Sequence, residues 1–554
     1  MAIRLEHGGM IQRALTENLP SHEPERMSTA PAHDVETFDD SGPITADGLL
    51  RRRARQKSDA LALIDPPNRQ MLAQSKVRPL AYADADEAVD ALARVFIGLG
   101  LDSGDRIVLQ LPNFVEAPLA ILGAWRAGLT VAIVPMLWRP MELARVCDAI
   151  EPKALVGISR FADDKPAETL RDVAATRLSV RFVLGFGDNL PDGVISLDDA
   201  MAAERGKVAP PRATRGPSMI TFSARTDASL VPLFRYEDEI LAQGAMAVLS
   251  LSLDRSDTIL NAYPFTGPIG LGLGLAPWLI GGATLVQHHP FDYGTFVQQV
   301  VTSGATVTAV PGAILDELAK DGLFEETRCR LRRVGRVWSV PELADGATPA
   351  SPATDRPVFD VYPLGDLASL LLATEGDESR ASLPYGPIQL GEDGGGTMFL
   401  ETKLAGNTSD LLIRGPVVPE GGANGPATRD ADNFVASGLR GTVDDGRVRI
   451  VRDPALIYHG GFTIAAAELD GLYQAFPGFL DAACFTLPDP VVGDRLFGAV
   501  APSPNVPVSL EALHRFLIER GVSPYKFPDK LLVVRDIPRD ADGNILREEI
   551  LRQV

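Results

Sequence analysis

The sequence predicts an α/β protein with largely parallel sheets, and three observations carry that expectation. Short apolar runs alternate with helical patterns from about residue 80 onward. Gly, Pro and Asn fall between them as turn signals. At 554 residues and 45% hydrophobic content, the chain is long enough for two or more domains, each with its own core.

The elements follow in order. Leu80-Ala81-Tyr82 opens a helical pattern through Ala88, Leu92 and Val95 that ends near Gly98. Gly104 to Asn113 reads as turn, buried strand, turn. A helix from Glu116 to Ala127 is capped by Gly128, before a strand from Thr130 to Pro135. The same alternation returns around Leu155, Val183 and Val307. Ile259 to Val286 carries no charge, yet Pro264, Pro268, Pro277 and a run of glycines make it buried turns, a short helix and a strand rather than a membrane span. Gly270, Gly272 and Gly274 lack the strand–helix setting of a dinucleotide fingerprint and are read as packing glycines. Gly391 to Gly396 is read as a hairpin loop, and His288-His289 as a loop pair rather than a metal site.

Composition excludes some partners. A formal net charge of −20 argues against nucleic acid and anionic membrane surfaces, which need basic patches. Cys147, Cys329 and Cys484 are too dispersed for a zinc site or disulfide framework, so a reducing cytoplasm is expected. Residues 1–45, rich in Pro, Ser, His and acidic groups, are expected to form a flexible extension.

Several motifs together resemble the acyl-adenylate-forming superfamily of acyl-CoA synthetases, peptide-synthetase adenylation domains and luciferases. Leu80-Ala81-Tyr82, Gly104-Asp105-Arg106-Ile107, Leu111-Pro112-Asn113 with Ala127-Gly128, and Gly281-Gly282-Ala283-Thr284 match its N-terminal domain. Asp410 to Pro416 resembles its "GELLVRGP" run. Gly460-Gly461 to Glu468, Pro488-Asp489, Gly493-Asp494-Arg495 and Tyr525-Lys526-Phe527-Pro528 match its C-terminal domain. The resemblance implies a large domain of mixed and parallel sheets flanked by helices over 46–452. A small, mobile α+β domain over 453–554 would follow a hinge near Arg452-Asp453. It also implies ATP or AMP with Mg²⁺, and CoA, as cofactors, and a small acyl or aryl carboxylate as substrate.

The nucleotide motifs depart from that family. Its catalytic lysine falls on Asn544, whose amide brings no positive charge to a phosphate. Its glycine-rich phosphate loop falls on Ser223 to Pro232, where Ser223 and Thr226 remain, no glycine does, and Val231 takes the lysine position. A carboxylate such as Asp227 about 4 Å from a phosphate charge would cost on the order of 4 kcal/mol at an effective dielectric near 20. The Tyr-Gly-x-Thr-Glu block becomes Tyr362 to Asp366, where the aromatic stays and Asp366 could still ligate Mg²⁺. Trp338 and Val340 crowd the adenine position, and Leu439 replaces the ribose aspartate. Arg452 is either a retained ligand contact or a hinge arginine. Pro264-Phe265-Thr266-Gly267 marks the acyl pocket. Cys484, in an apolar run, is read as structural.

Three functions stay open. The first is a member with an eroded ATP site that binds an acyl group, an acyl-thioester, a carrier protein or a sister ligase, with Gly460, Gly461 and Glu468 retaining the thioester contact. The second is a working AMP-forming acid–thiol ligase with a site rebuilt from Asp366, Arg452, Arg225 and Lys526. The third is a structural partner of another enzyme.

Overall fold

The computed structural model describes residues 44–553, except 211, 213–215, 347–355, 374–380, 391–395, 407–408, 421–428 and 505–506. The expected extension over 1–45 lies almost wholly outside the described residues, as does the glycine run 391–395. The strands on either side of that run, Gly386–Leu390 and Thr397–Leu404, pair antiparallel.

The fold is α/β. A seven-stranded sheet runs in the spatial order Ile195–Ser196, Phe182–Phe186, Ala154–Ile158, Arg106–Leu109, Thr130–Ile133, Met219–Ala224, Leu230–Arg235. Every pairing in it is parallel except the last, where two strands close a hairpin. An eight-stranded sheet is parallel at its centre and antiparallel at both edges. The helices buried most completely, such as Glu116–Arg126, join the main apolar core. That helix is buried at every position, so only its ends can carry charge. Glu116 pairs with Arg69 at 2.5 Å, and Arg126 with Asp47, Asp86 and Asp90 at 2.5–2.8 Å. Each of these buried charges has more than one partner, since Arg69 also pairs with Asp65 and Glu116 with Arg78, so loss of a single partner leaves it compensated.

The predicted helix through Ala88, Leu92 and Val95 spans Tyr82–Gly98, preceded by the short strand Pro79–Ala81. The uncharged segment folds as strand Thr258–Asn261, a helical stretch over Pro268–Gly281 with one wide turn at Leu271–Leu275, and strand Thr284–Gln287. A Cβ on Gly270 would lie 2.0 Å from the Pro264 carbonyl oxygen, so only glycine fits there. Among the described residues no helix is long and apolar enough to cross a membrane. The His288-His289 pair does lie in a loop, directly after strand Thr284–Gln287, with His288 fully buried and His289 half-buried. His288 Nδ1 meets Gln299 Oε1 at 2.6 Å, His289 stacks on Phe161, and burial pushes the His289 imidazole down to about 4.

A six-stranded antiparallel sheet over residues 383–451 completes the large domain. The chain leaves it at Val451 and enters the five-stranded sheet of the small domain at Leu456. The expected hinge, Arg452-Asp453, lies between them. The small domain has its own apolar core around Leu469, Tyr473, Cys484 and Leu513. Cys484 is fully buried there, and desolvation pushes its thiol far above the ordinary value, so it packs as a small apolar side chain.

Candidate functional site

Two joined cavities lie where the domains meet. One, of about 120 Å³, is walled by Ile133, Trp138 and Phe222 from the large domain and by Gly461, Phe462 and Tyr525 from the small one. The other, of about 170 Å³, is lined by Ser223, Thr226, Gly365, Ser437, Leu439 and Tyr458. Asp366 and Thr463 line both.

The sheet edge positions the expected phosphate loop. Strands Met219–Ala224 and Leu230–Arg235 pair without a bulge down to Ala224 opposite Leu230, so Arg225–Ser229 is their hairpin turn. The turn satisfies itself: Arg225 N–H donates to the Ser229 carbonyl at 3.1 Å, Ala228 N–H to the Arg225 carbonyl at 2.9 Å, and Ser229 N–H to Asp227 Oδ1 at 3.0 Å. Ala228 takes φ of 63°, the left-handed position such turns give to glycine or asparagine. Asp227 differs from the expectation. Its side chain is 61% exposed and ties to Ser229 and Arg225, so it faces solvent and lines neither cavity. The repulsion argued from its position in the sequence therefore does not apply.

Asp366 sits at the junction. Ser223 Oγ donates to its Oδ2 at 2.7 Å, and burial holds the carboxyl above its ordinary range. Arg235, fully buried beneath, donates to the Asp366 carbonyl, to the Leu367 carbonyl at 2.9 Å and to Glu239 at 2.7 Å. These bonds fix the loop that carries Asp366. Among the described residues no cluster of three or more His, Cys, Asp or Glu could hold a metal.

Other predicted residues disperse. Tyr362 is buried and stacks on Trp338 at 6.1 Å with planes 5° apart, and Trp338 Nε1 donates to Asp360 at 2.9 Å. Neither ring lines either cavity. Leu439 does line the second cavity. The Arg452 guanidinium pairs with Asp494 at 2.6 Å, and Asp494 also accepts the Tyr458 N–H at 2.8 Å, so this arginine ties the hinge to the small domain. Thr266 and Gly267 reach the first cavity, whereas Phe265 is core.

The small domain turns one side to the cavities. Gly460 and Gly461 form the turn between strands Leu456–His459 and Phe462–Ala465, and Gly461, Glu468 and Lys526 line the first cavity. Asn544 is elsewhere, on an exposed turn where its side chain donates to Asp540 at 3.0 Å.

Sequence reasoning missed the aromatic walls. Trp138 and Phe222 lie 5.7 Å apart on the large domain, and Phe462 stacks on Tyr525 at 4.1 Å on the small one. It also missed Glu142, which accepts from Lys526 at 2.8 Å. The one local signal was the placement of Phe462 and Tyr525 inside motifs already singled out.

The AMP-binding enzyme family matches residues 50–372, more than half of the chain. The salicyl-AMP ligase / salicyl-S-ArCP synthetase of Mycobacterium tuberculosis is 27% identical over 531 residues, covering 92% of this chain and 91% of its own. A salicylyl-CoA synthase / salicylate adenylyltransferase of a Streptomyces species is 26% identical, covering 90% and 92%. The amide bond synthetase McbA from Marinactinospora thermotolerans shares the fold, with a TM-score of 0.73, 18% identity, and coverage of 92% and 99%. With its large α/β domain, its small C-terminal domain and a cleft between them, the chain belongs to the AMP-binding enzyme family.

Proposed function

We propose that this chain is an acyl-CoA synthetase-like protein that binds an aryl or acyl thioester and does not adenylate a free acid. The observation that carries the reading is the self-satisfied hairpin at Arg225–Ser229. A phosphate cradle needs backbone N–H groups converging on the anion, and three of them here are engaged within the turn. The second cavity supports it further. Its lining sets the carboxylates of Asp366, Asp410 and Asp453 against the guanidiniums of Arg225 and Arg440, and Leu439 offers no acceptor to a ribose. What that lining lacks for a magnesium triphosphate is a glycine cradle and a lysine.

The first cavity suits a planar acyl group. Trp138, Phe222, Phe462 and Tyr525 supply flat apolar walls, and the turn at Gly461 leaves room for a chain to enter. The salicylate-directed relatives support an aryl acid as the acyl part, carried on CoA or on a carrier protein. A working ligase with a rebuilt site is the second reading, favoured by the Ser223–Asp366 pair retained at the cavity junction.

Calorimetric titration separates them. Benzoyl-CoA is expected to bind, while MgATP and AMP give no heat at millimolar concentration. Micromolar MgATP binding together with salicylate-dependent pyrophosphate release would establish the ligase instead.

A further inference from the structure

Strand Met219–Ala224 sends successive side chains to opposite faces, so its end serves both cavities. Phe222 lines the first cavity and Ser223 the second, and Arg225, two positions on, lines the second beside Ser223. The Ser223 hydroxyl donates to Asp366 Oδ2 at 2.7 Å. Asp366 cannot drift from it, because Arg235 binds the carbonyls of both Asp366 and Leu367. Arg225 is less committed. Among the described residues its side chain makes one ion pair, a loose one at 3.8 Å to Asp227.

A hydroxyl bonded to a buried carboxylate, with a guanidinium on the same face, has the parts that covalent acyl transfer requires. The carboxylate takes the proton of the nucleophile, and the cation meets the oxyanion that forms on the carbonyl. The burial that holds the Asp366 carboxyl above its ordinary range also makes it the stronger base.

We propose that the chain cleaves the thioester it binds, with Ser223 as nucleophile, Asp366 as general base and Arg225 as the oxyanion partner. This rests on the thioester reading above. An acyl ring between the aromatic walls puts its carbonyl at the junction, where Asp366 lines both cavities. Ser223 Oγ bonds to the carbonyl carbon as its proton passes to Asp366. The C–S bond then breaks, and the departing thiolate takes that proton. Water attacks the acyl-Ser223 ester and gives its own proton through Asp366 to Ser223 Oγ. The products are a free carboxylic acid and a free thiol.

The test follows release of CoA and benzoate from benzoyl-CoA by the full chain, with binding measured separately by calorimetry. Both products should form in equal amounts, faster than in buffer alone. Ser223→Ala should still bind benzoyl-CoA but release none. Asp366→Asn and Arg225→Gln should each slow release by about 10²-fold or more. If Ser223→Ala does not fold, Asp366→Asn, which keeps the volume, decides in its place. A parent that binds benzoyl-CoA and releases no CoA overturns this proposal and leaves the thioester reading standing. Release that is undiminished in folded Ser223→Ala or Asp366→Asn overturns it equally. A parent that neither binds nor cleaves overturns both.

Discussion

The Ser223 hydroxyl donates to the Asp366 carboxylate at 2.7 Å, and this bond joins the hairpin strand Met219–Ala224 to the loop after strand Val358–Leu364. It lies where the two cavities meet, so it orients the one carboxylate that faces both. Ser223→Ala should lower stability at pH 7 by about 1.5–3 kcal/mol, the usual range for a hydrogen bond to a charged group. Denaturant titration measures it, and a change under about 0.5 kcal/mol would mean that the bond is absent in solution.

Glu239 gives a pH-dependent signature. Burial pushes its carboxyl from 4.5 up to about 7, against the pull of Arg235. The folded state therefore holds this proton more tightly than the unfolded chain. Stability from Glu239 is fully present below pH 4.5, is lost as pH rises to about 7, and is flat above that. The stability of the parent minus that of Glu239→Gln should fall by about 3 kcal/mol across this window. Denaturant curves at half-unit pH steps test it. A difference that rises with pH would reverse the assignment.

The aromatic wall should govern thioester affinity. Phe222→Ala removes one flat face of the first cavity while Trp138 keeps its own contacts with the core. Affinity for benzoyl-CoA should drop about tenfold. Calorimetry with acetyl-CoA as comparison separates loss of the ring contact from loss of the whole site, because acetyl-CoA should change far less.

Asn544→Lys should not create a ligase. The turn that carries residue 544 is closed by two bonds to Asp540, at 2.8 and 3.0 Å, and lies outside both cavities. Salicylate-dependent pyrophosphate release should stay at background in the variant. A rise of about tenfold or more would make this single position the missing catalytic group.

Elements with strong local patterns were legible from the sequence. The helix Tyr82–Gly98, the buried helix Glu116–Arg126 and the strand Arg106–Leu109 follow from apolar periodicity and from Gly128 as a cap. The cleft was not legible, because its walls come from separate segments. The Trp138–Phe222 pair of the large domain faces the Phe462–Tyr525 pair of the small one only where the two domains meet, and Glu142 and Lys526 lie 384 positions apart. Asp227 shows a different limit. Its chemistry could be read at once, but the direction of its carboxylate depends on the hairpin, which swings it outward.

The Trp338–Tyr362 stack bears on how this sequence could change over time. Both rings are now part of the core, and Trp338 is anchored by its bond to Asp360. Replacing Trp338 by a small residue, as a planar base would require, would cost about 3–5 kcal/mol before any ligand repaid it. That is a large share of the 5–15 kcal/mol typical of a folded domain. Under the proposed reading, a single substitution that opened this position to a planar ligand would pass through a destabilised chain, so the tryptophan holds the position closed.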